Sequence, residues 1–421
     1  MRSRTLLASA LPVTLLAAGA MLLGGTPAQA QGGRILVTQM FIENCEEMGN
    51  CEFRLTCKTA TDKDATEMIP AAIATNPQTL KINKPLNPLS YPTKVTCTLY
   101  EDDGMFGSTW DEAATATLDL PGGGDYKLKL DNPEQATVEI GIIADSFTSP
   151  TRTAAAPAAP GGKPAKAAPA GAPVRFLGVF DKENEPKGHA VVLGLEEAAF
   201  LAEAKRLADQ GVHPTDIETW TEGGKRLWGG IFRSGPDTSL ILTGMEGDPF
   251  LKRWEKLNND EEMRLVDLEV YQDKGKLRFA GAFRNGTEDS SLWVGQDRDP
   301  FKVKWQQLVN SGVRLIDLEV YKGASGKNVY AGVFLDAPGS YGMWNAVTWD
   351  KFIERWKGSG SNGLADIESY TEGGKRVYDG VVLGGGGAEE VTTPMDTEAF
   401  HAKWRELMAK GFRLTHFEAE Q

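Results

Sequence analysis

The amino-acid sequence predicts a multidomain fold, in which an N-terminal antiparallel β-sandwich precedes a C-terminal α/β repeat domain of five β-β-β-α units. Three observations support this fold class. Apolar and polar residues alternate in short runs through the first third of the chain, as strands require. Residues 151–173 are mostly Ala, Pro and Gly, which is typical of a linker. The segment RLVDLEVY at residues 264–271 recurs as RLIDLEVY at residues 314–321, which indicates internal repetition.

The first element is a signal peptide over residues 1–30. The chain opens with the basic segment MRSR, continues through an apolar run rich in Leu and Ala, and reaches the small-residue sequence TPAQA. This order predicts cleavage after Ala30 and a secreted or periplasmic protein. Gln31 follows the cleavage point, which argues against a lipoprotein anchor, since that anchor requires Cys. No later apolar run reaches the length of a spanning helix, so we expect no membrane span.

The charge of the chain limits its partners. The 421 residues carry a formal net charge of −13, and loss of Arg2 and Arg4 with the signal peptide makes the exported chain more acidic. Such a surface repels phosphate backbones and anionic membranes. We therefore expect no nucleic-acid partner.

All the cysteines lie in the first domain, residues 31–150. They are Cys45, Cys51, Cys57 and Cys97. In an oxidising compartment this even count predicts two disulfides, with three pairings open. A zinc site over NCEEMGNCEFRLTC is the alternative, and export and the lack of CxxC spacing disfavour it.

One segment of the first domain carries a candidate metal loop. The run VTCTLYEDDGMFGSTWDEAATATLDL resembles one edge of a C2-like sandwich, where an acidic loop joins two strands. The resemblance implies a weak Ca²⁺ site, because calcium takes oxygen ligands. Its candidate ligands are Asp102, Asp103, Asp111 and Glu112. The second aspartate loop of calcium-binding C2 domains is not found, so a solvated acidic turn is the alternative, and no other cofactor is expected.

The second domain, residues 174–421, follows the linker and repeats a unit of about fifty residues. An acidic first strand reads TDIETW, VDLEVY, IDLEVY, ADIESY and THFEAE in its copies. A second strand with a fixed glycine reads RFLGVF, RLWGGIF, LRFAGAF, NVYAGVF and RVYDGVV. A looser third strand and a helix complete the unit. The helices repeat Phe and Trp four residues apart, as in Phe301 and Trp305, and this spacing predicts a core-facing pair.

The repeats are out of phase with the chain. The series opens at Val174 with a second strand and closes with a first strand in RLTHFEAEQ. An open array would leave two unpaired sheet edges. Pairing of the C-terminal strand with the strand near Phe176 would remove both, so we expect a closed ring. An open solenoid is the alternative. The fixed glycines are expected where another backbone comes close or a bulge bends the sheet; they are Gly178, Gly230, Gly281, Gly332 and Gly380.

The first strands supply the candidate site. Because alternate residues of a strand face opposite sides, the acidic and aromatic residues share the face away from the helices. The ligand-binding candidates are Glu218, Trp220, Glu269, Tyr271, Glu319, Tyr321, Glu368, Tyr370, His416 and Glu418. Lys and Arg on the second strands offer an alternative, in which cross-strand ion pairs absorb the carboxylates as a structural ladder.

The repeated pattern D-L-E-x-Y followed by a strand with Gly and Phe resembles the bacterial tandem repeat of secreted proteins, which also forms the N-terminal region of fungal polyglycine hydrolases. Asp267, Glu269, Tyr271, Gly281 and Phe283 carry the resemblance. In those hydrolases catalysis belongs to a separate domain resembling serine β-lactamases. The resemblance therefore implies an accessory or recognition role for residues 174–421.

These observations favour a non-catalytic recognition protein for an extracellular peptide, glycan or protein. The motifs S-x-x-K and G-x-S-x-G do not occur, and the repeat domain has no cysteine, so no catalytic residue is assigned. A secreted hydrolase acting at the acidic face, of peptidase or glycosidase type, is one alternative. A structural envelope or adhesion protein is the other.

Overall fold

The computed structural model describes most of both predicted domains. It covers residues 29–42, 51–74, 78–86, 91–102, 110–132, 136–149, 174–182, 187–235, 237–360, 362–385 and 389–420. The body of the predicted signal peptide and the linker therefore lie outside the described residues. Among those that are described, no helix is long and apolar enough to cross a membrane.

The N-terminal domain consists of strands. They are β1 (Gln29–Ile42), β2 (Cys51–Thr59), β3 (Thr66–Ala74), β4 (Gln78–Leu86), β5 (Thr93–Asp102), β6 (Trp110–Leu120), β7 (Gly124–Asn132) and β8 (Ala136–Ser149). One sheet joins β7, β8, β1 and β4, and a second has the order β3-β2-β5-β6. Buried side chains from both sheets, such as Ile35, Leu55, Val95 and Ile140, form one hydrophobic cluster. Burial of these apolar faces stabilises the domain.

A disulfide joins Cys57 to Cys97 inside this cluster. The two residues are direct partners in the antiparallel register of β2 and β5. Of the three pairings left open by the sequence, the two that separate these cysteines are therefore excluded. Cys45 and the side chain of Cys51 lie outside the described residues.

The candidate calcium loop is described only at its base. Asp102 pairs with Trp110, and the backbone of β5 meets that of β6 at Asp111 and Glu112. Asp103 and the side chains of the other three candidates lie outside the described residues, so the calcium site stays a prediction.

The repeat domain alternates strands and helices. Its strands are β9 (Arg175–Lys182), β10 (His189–Leu195), β11 (Val212–Glu222), β12 (Lys225–Ser234), β13 (Ser239–Met245), β14 (Met263–Asp273), β15 (Lys276–Asn285), β16 (Ser290–Gln296), β17 (Val313–Lys322), β18 (Asn328–Asp336), β19 (Tyr341–Val347), β20 (Asn362–Glu372), β21 (Lys375–Gly384), β22 (Glu389–Val391) and β23 (Phe412–Glu420). Its helices are α1 (Glu197–Ala208), α2 (Gly247–Asp260), α3 (Arg298–Asn310), α4 (Trp349–Lys357) and α5 (Thr397–Ala409).

Each repeat sheet combines the strand before a helix with the two strands after it. The sheet orders β13-β15-β14, β16-β18-β17 and β19-β21-β20 show this arrangement, and β10, β12 and β11 follow it within a larger sheet. The last sheet has the order β22-β9-β23, so the strand near Phe176 completes the sheet of the C-terminal strand. Phe417 is the partner of Gly178 in this register. The predicted pairing of the first and last repeat strands is thus present.

The fixed glycines lie under the helix phenylalanines. A Cβ atom added to Gly332 would lie 2.8 Å from the Phe301 ring, and one added to Gly380 would lie 2.7 Å from Phe352. The helix phenylalanines are fully buried: Phe200, Phe250, Phe301, Phe352 and Phe400. The predicted close approach of another backbone is present at Gly230, where an added Cβ would lie 3.0 Å from the Asp216 carbonyl oxygen, and at Gly281, 3.2 Å from that of Asp267; the aromatic ring is a further neighbour that the sequence did not predict. Absence of a side chain lets the helix pack directly on the strand.

The two domains, which the predicted linker joins along the chain, also share a sheet. Strand β8 pairs in parallel with β10, with Phe147 opposite Val191. Phe147 also packs on the rings of His401 and Trp404 from α5, at centroid distances of 4.2 and 5.3 Å. Beside them, Arg413 forms a buried ion pair with Asp145 at 3.3 Å. These contacts dock the N-terminal domain against both the first repeat, through β10, and the last repeat, through α5 and Arg413.

Candidate functional site

The inner strands of the repeat domain are β11, β14, β17, β20 and β23. Each contacts the next in this order, and β23 contacts β11. An acidic side chain of one inner strand accepts a hydrogen bond from the backbone of the preceding one. Asp267 accepts from the Ile217 N–H (3.1 Å), Asp317 from Leu268 (3.1 Å), Asp366 from Leu318 (2.7 Å) and Asp216 from Phe417 (3.3 Å). These carboxylates therefore satisfy backbone donors that the three-stranded sheets leave unpaired.

His416 takes the place of an aspartate in this series. Its Nδ1 atom lies 2.7 Å from Oδ1 of Asp216, and its Nε2 atom lies 3.1 Å from Oδ1 of Asp366. Burial opposes protonation of the imidazole, but the two carboxylates outweigh it and raise the pKa of His416 to about 10. The imidazolium thus partly balances the buried negative charge.

The glutamates form a second layer on the same strands. Glu269 accepts from the Thr219 N–H (3.2 Å), Glu319 from Val270 (3.2 Å), Glu368 from Val320 (3.0 Å) and Glu418 from Ser369 (3.1 Å). Burial, followed by repulsion between neighbouring carboxylates, raises the pKa of Glu218, Glu269 and Glu319 well above the usual value. A hydrogen bond from the Glu218 carboxyl lowers the pKa of Glu418, although burial leaves that pKa raised overall. The layer therefore retains protons at a pH where exposed glutamates are ionised.

The basic residues of the second strands have other partners. Lys225 pairs with Glu196, and Lys276 pairs with Glu246 at 3.1 Å, so neither lysine neutralises the inner glutamates. Arg226 donates to the Gln272 carbonyl oxygen and lies over the Tyr271 ring at 4.6 Å. The proposed ladder of cross-strand ion pairs is therefore not how the described carboxylates are bound, since backbone N–H groups fill that role.

A cavity of about 450 Å³, here called the central cavity, lies over the glutamate layer. Its lining includes eight of the ten ligand-binding candidates: Glu218, Glu269, Tyr271, Glu319, Tyr321, Glu368, Tyr370 and Glu418. Trp220 and His416 do not line it. Trp220 is 1% exposed and packs edge-on against Phe176, while His416 lies in the aspartate layer. The structure thus brings together side chains from all the inner strands.

The tyrosines contribute little free aromatic surface to this cavity. Tyr271, Tyr321 and Tyr370 are buried, and the Tyr271 hydroxyl accepts from the Gly244 N–H at 3.1 Å. Four residues that the sequence did not single out present exposed side chains at the mouth of the cavity: Thr221, Gln272, Lys322 and Thr371. Their position directly after each aromatic residue of the first strand is the signal that could have revealed them.

The fold and site define a protein of β-rich tandem repeats, in which the acidic inner strands form the floor of a polar cavity. Residues 242–285, 290–336 and 386–420 match the family described as "Polyglycine hydrolase-like, structural repeat". The resemblance predicted for the repeats is thus confirmed in these segments. A comparison with curated proteins finds no match.

Solved structures show only distant likeness. A C2 domain of plant Extended Synaptotagmin 1 matches with 11% identity over 28% of this chain and 95% of that one, at a TM-score of 0.21. Human GIVD cytosolic phospholipase A2 matches with 8% identity over 80% of this chain and 36% of that one, also at a TM-score of 0.21. The chain therefore spans about a third of the phospholipase, and TM-scores this low establish no shared fold.

Proposed function

We propose that this chain is an exported, non-catalytic recognition protein that binds an extracellular peptide or glycan in the central cavity. The observation that carries this proposal is the cavity itself. Inner strands from every repeat line this cavity with polar groups. Sites of this volume with converging polar side chains are typical of ligand binding. The Cys57–Cys97 disulfide supports export, because such bonds persist in oxidising compartments.

A closed ring of five units underlies this proposed site. The β9–β23 pairing, the β23–β11 contact and the hydrogen bond from the Phe417 N–H to Asp216 support closure. In the N-terminal domain, a four-stranded sheet and the four N-terminal strands of the shared sheet enclose one core, which supports the β-sandwich proposal. Closure fixes the distance across the cavity, so ligand groups meet a preorganised surface.

The similar surroundings of the glutamates favour binding over acid/base catalysis. Catalysis by paired carboxylates needs one ionised and one protonated group in contrasting environments. Here Glu269, Glu319 and Glu368 each accept a backbone N–H, and burial raises the pKa of all three. The layer therefore offers repeated acceptor and donor groups to a bound molecule.

Binding of the exported full-length chain to a mixed peptide and glycan array, with mass spectrometry of the retained molecules, tests the proposal. The blocking variant is Gln272→Trp, because Gln272 is exposed at the mouth and an indole there fills the opening. The matched control is Gln306→Trp on the exposed face of α3, which lies outside the cavity lining.

Intact ligand retained by the wild type and by Gln306→Trp, but not by Gln272→Trp, is the expected result. Shortened ligand would point to a hydrolase instead. Equal retention by both variants would place binding elsewhere, and no retention by any form would favour a structural role.

A further inference from the structure

The third repeat departs from the others at the hairpin beside the central cavity. In three repeats this hairpin has two turn residues and an acid before them, namely Glu222, Asp273 and Glu372. The β17–β18 hairpin instead has Gly323 at the acidic position, directly after Lys322, and its turn is one residue longer before Lys327. This hairpin thus lacks the acid, and it has Lys322 where the other three have the neutral residues Thr221, Gln272 and Thr371.

A second cavity of about 350 Å³, here called the seam cavity, lies between this hairpin and the hairpin of the fourth repeat. Its basic lining residues are Arg298, Lys322 and Lys327, and its acid is Glu372. Lys322, Asn328 and Thr371 line both this cavity and the central one. The two cavities therefore adjoin and could hold one extended ligand.

Arg298 is held in place by a partly buried polar network. Its Nε donates to the Tyr330 hydroxyl at 2.7 Å, and one Nη donates to Glu372 at 2.6 Å and to the Tyr370 hydroxyl at 3.2 Å. Tyr370 in turn donates to the buried Asp379 at 2.8 Å. Fixed geometry lowers the entropic cost when a guanidinium binds an oxyanion.

The two lysines have no such partners. Within the part of the chain that the structure describes, the side-chain ammonium groups of Lys322 and Lys327 form no ion pair or hydrogen bond, and both side chains are exposed. At the hairpins of the first two repeats, Lys225 and Lys276 pair with glutamates. Glu372 balances the positive charge of Arg298 and leaves those of the two lysines unbalanced, so the seam cavity keeps an excess of positive charge.

We propose that the seam cavity is a carboxylate-binding subsite, and that the ligand spanning both cavities is an acidic saccharide bearing uronate groups. This proposal rests on the proposed recognition function of the central cavity. The uronate carboxylate is bound by Lys322, Lys327 and Arg298, while sugar hydroxyls lie over the glutamate layer.

The chemistry of the mouth favours a saccharide over a peptide. Its exposed side chains are hydroxyl, amide and ammonium groups, and the tyrosines that could receive apolar side chains are buried. A sugar hydroxyl both donates and accepts hydrogen bonds, so it pairs with a carboxyl group in either protonation state. A peptide side chain would find no apolar pocket among these lining residues.

Calorimetric titration of the full-length chain with an oligogalacturonate, its methyl ester and an acidic peptide tests the proposal. The variants are Lys327→Glu, which changes only the seam cavity, and Lys322→Glu. Lys375→Glu is the matched control, because Lys375 begins the corresponding strand of the fourth repeat and lines neither cavity. Gln272→Trp blocks the central cavity alone.

We expect the oligogalacturonate to bind the wild type and Lys375→Glu, and each seam variant to weaken it about tenfold or more, since each reverses a charge that contacts the ligand. The neutral methyl ester should bind as weakly to wild type as the acid form binds to the seam variants. Equal binding of acid and ester, or tighter binding of the acidic peptide, would overturn the inference. If Gln272→Trp still abolished binding in that case, the proposed function would survive. Loss of every titration signal would overturn the uronate inference, and retention of other ligands on the peptide and glycan array would then uphold the proposed function.

Discussion

The Nδ1 atom of His416 lies 2.7 Å from Oδ1 of Asp216, although 200 positions separate the two residues in the chain. This contact joins the last inner strand to the first. It also places one cation among the buried aspartates, between β23 and β11. Charge balance and the contact between these two strands therefore involve the same side chain.

Replacement of His416 by Ala should destabilise the protein strongly. The change leaves Asp216 and Asp366 buried without their cation, and loss of one partner of a buried ion pair costs about 3–5 kcal/mol. Urea unfolding of the variant checks this loss. The control is His213→Ala, because His213 is less buried and its ring bonds to the hydroxyl of Ser239 and not to a carboxylate. Equal loss in both variants would contradict the role of His416.

The raised pKa of His416 predicts how the stability of the folded protein falls at high pH. The folded-state pKa of about 10 exceeds the ordinary value of 6.5. A histidine with a raised pKa contributes stability fully below its unfolded-state pKa and loses it as the pH rises through the folded-state value. We expect wild-type stability to decline between pH 6.5 and about 10, and the His416→Ala variant to lack this component. Chemical denaturation across that range measures both.

Glu269→Gln should stabilise the protein at neutral and alkaline pH. Burial, then the neighbouring Asp267, raises the pKa of Glu269 above the usual 4.5. An acid whose pKa is raised by folding lowers stability as the pH increases above its unfolded-state value. The amide keeps an acceptor for the Thr219 N–H without the charge, so we expect a gain of about 1 kcal/mol at pH 8.

Thermal melts at pH 4 and pH 8 test this difference. The gain should be absent at pH 4, where the wild-type carboxyl is protonated in the folded state. Glu255→Gln on the exposed face of α2 provides the control and should change neither melt. A lower melting temperature for Glu269→Gln at pH 8 would contradict the prediction.

Gly281→Ala should disrupt the packing of α2 on its sheet. The added methyl would lie 2.5 Å from Leu265 Cδ1, 3.2 Å from the Asp267 carbonyl oxygen and 3.2 Å from Phe250. Overpacking of this kind costs about 1–3 kcal/mol. Gly235→Ala meets its nearest neighbour at 3.6 Å and should be close to neutral. Denaturant unfolding compares the two variants, and equal stability would show that the site can relax.

Removal of the disulfide should destabilise the N-terminal domain. The Cys57–Cys97 bond closes a loop with a sequence separation of 40, and the chain-entropy relation gives about 4 kcal/mol for a loop of this length. The double variant Cys57→Ala with Cys97→Ala is measured by calorimetry against the wild type. Unchanged unfolding of both domains would show that the bond adds no constraint.

The two domains should remain associated after the linker is cut. Pairing of β8 with β10 and the packing of Phe147 on Trp404 hold them together independently of residues 151–173. With a protease site inserted in that segment, the cleaved fragments should coelute in gel filtration. The variant Phe147→Asp, cut in the same way, should release them, because it puts a charge in the apolar contact. Separation of the wild-type fragments would contradict domain docking.

The regular part of the repeat domain follows from sequence periodicity alone. The alternation in RLVDLEVY specifies strands, the Phe and Trp spacing specifies helices, and the phase of the repeats predicts that the strand near Phe176 pairs with the C-terminal strand. The acidic residues could also be placed on one face of each first strand. These features are local or recurrent, so a single unit carries the information for all copies.

Only the tertiary structure decided which groups the carboxylates meet. Asp267 and Glu269 accept hydrogen bonds from backbone N–H groups 50 positions earlier, because the packing of adjacent repeats brings β14 against β11. The parallel pairing of β8 with β10 and the seam cavity beside Arg298 likewise depend on how separate elements pack. Sequence patterns record which face a residue occupies, whereas its partner is determined by the long-range packing that satisfies buried polar groups.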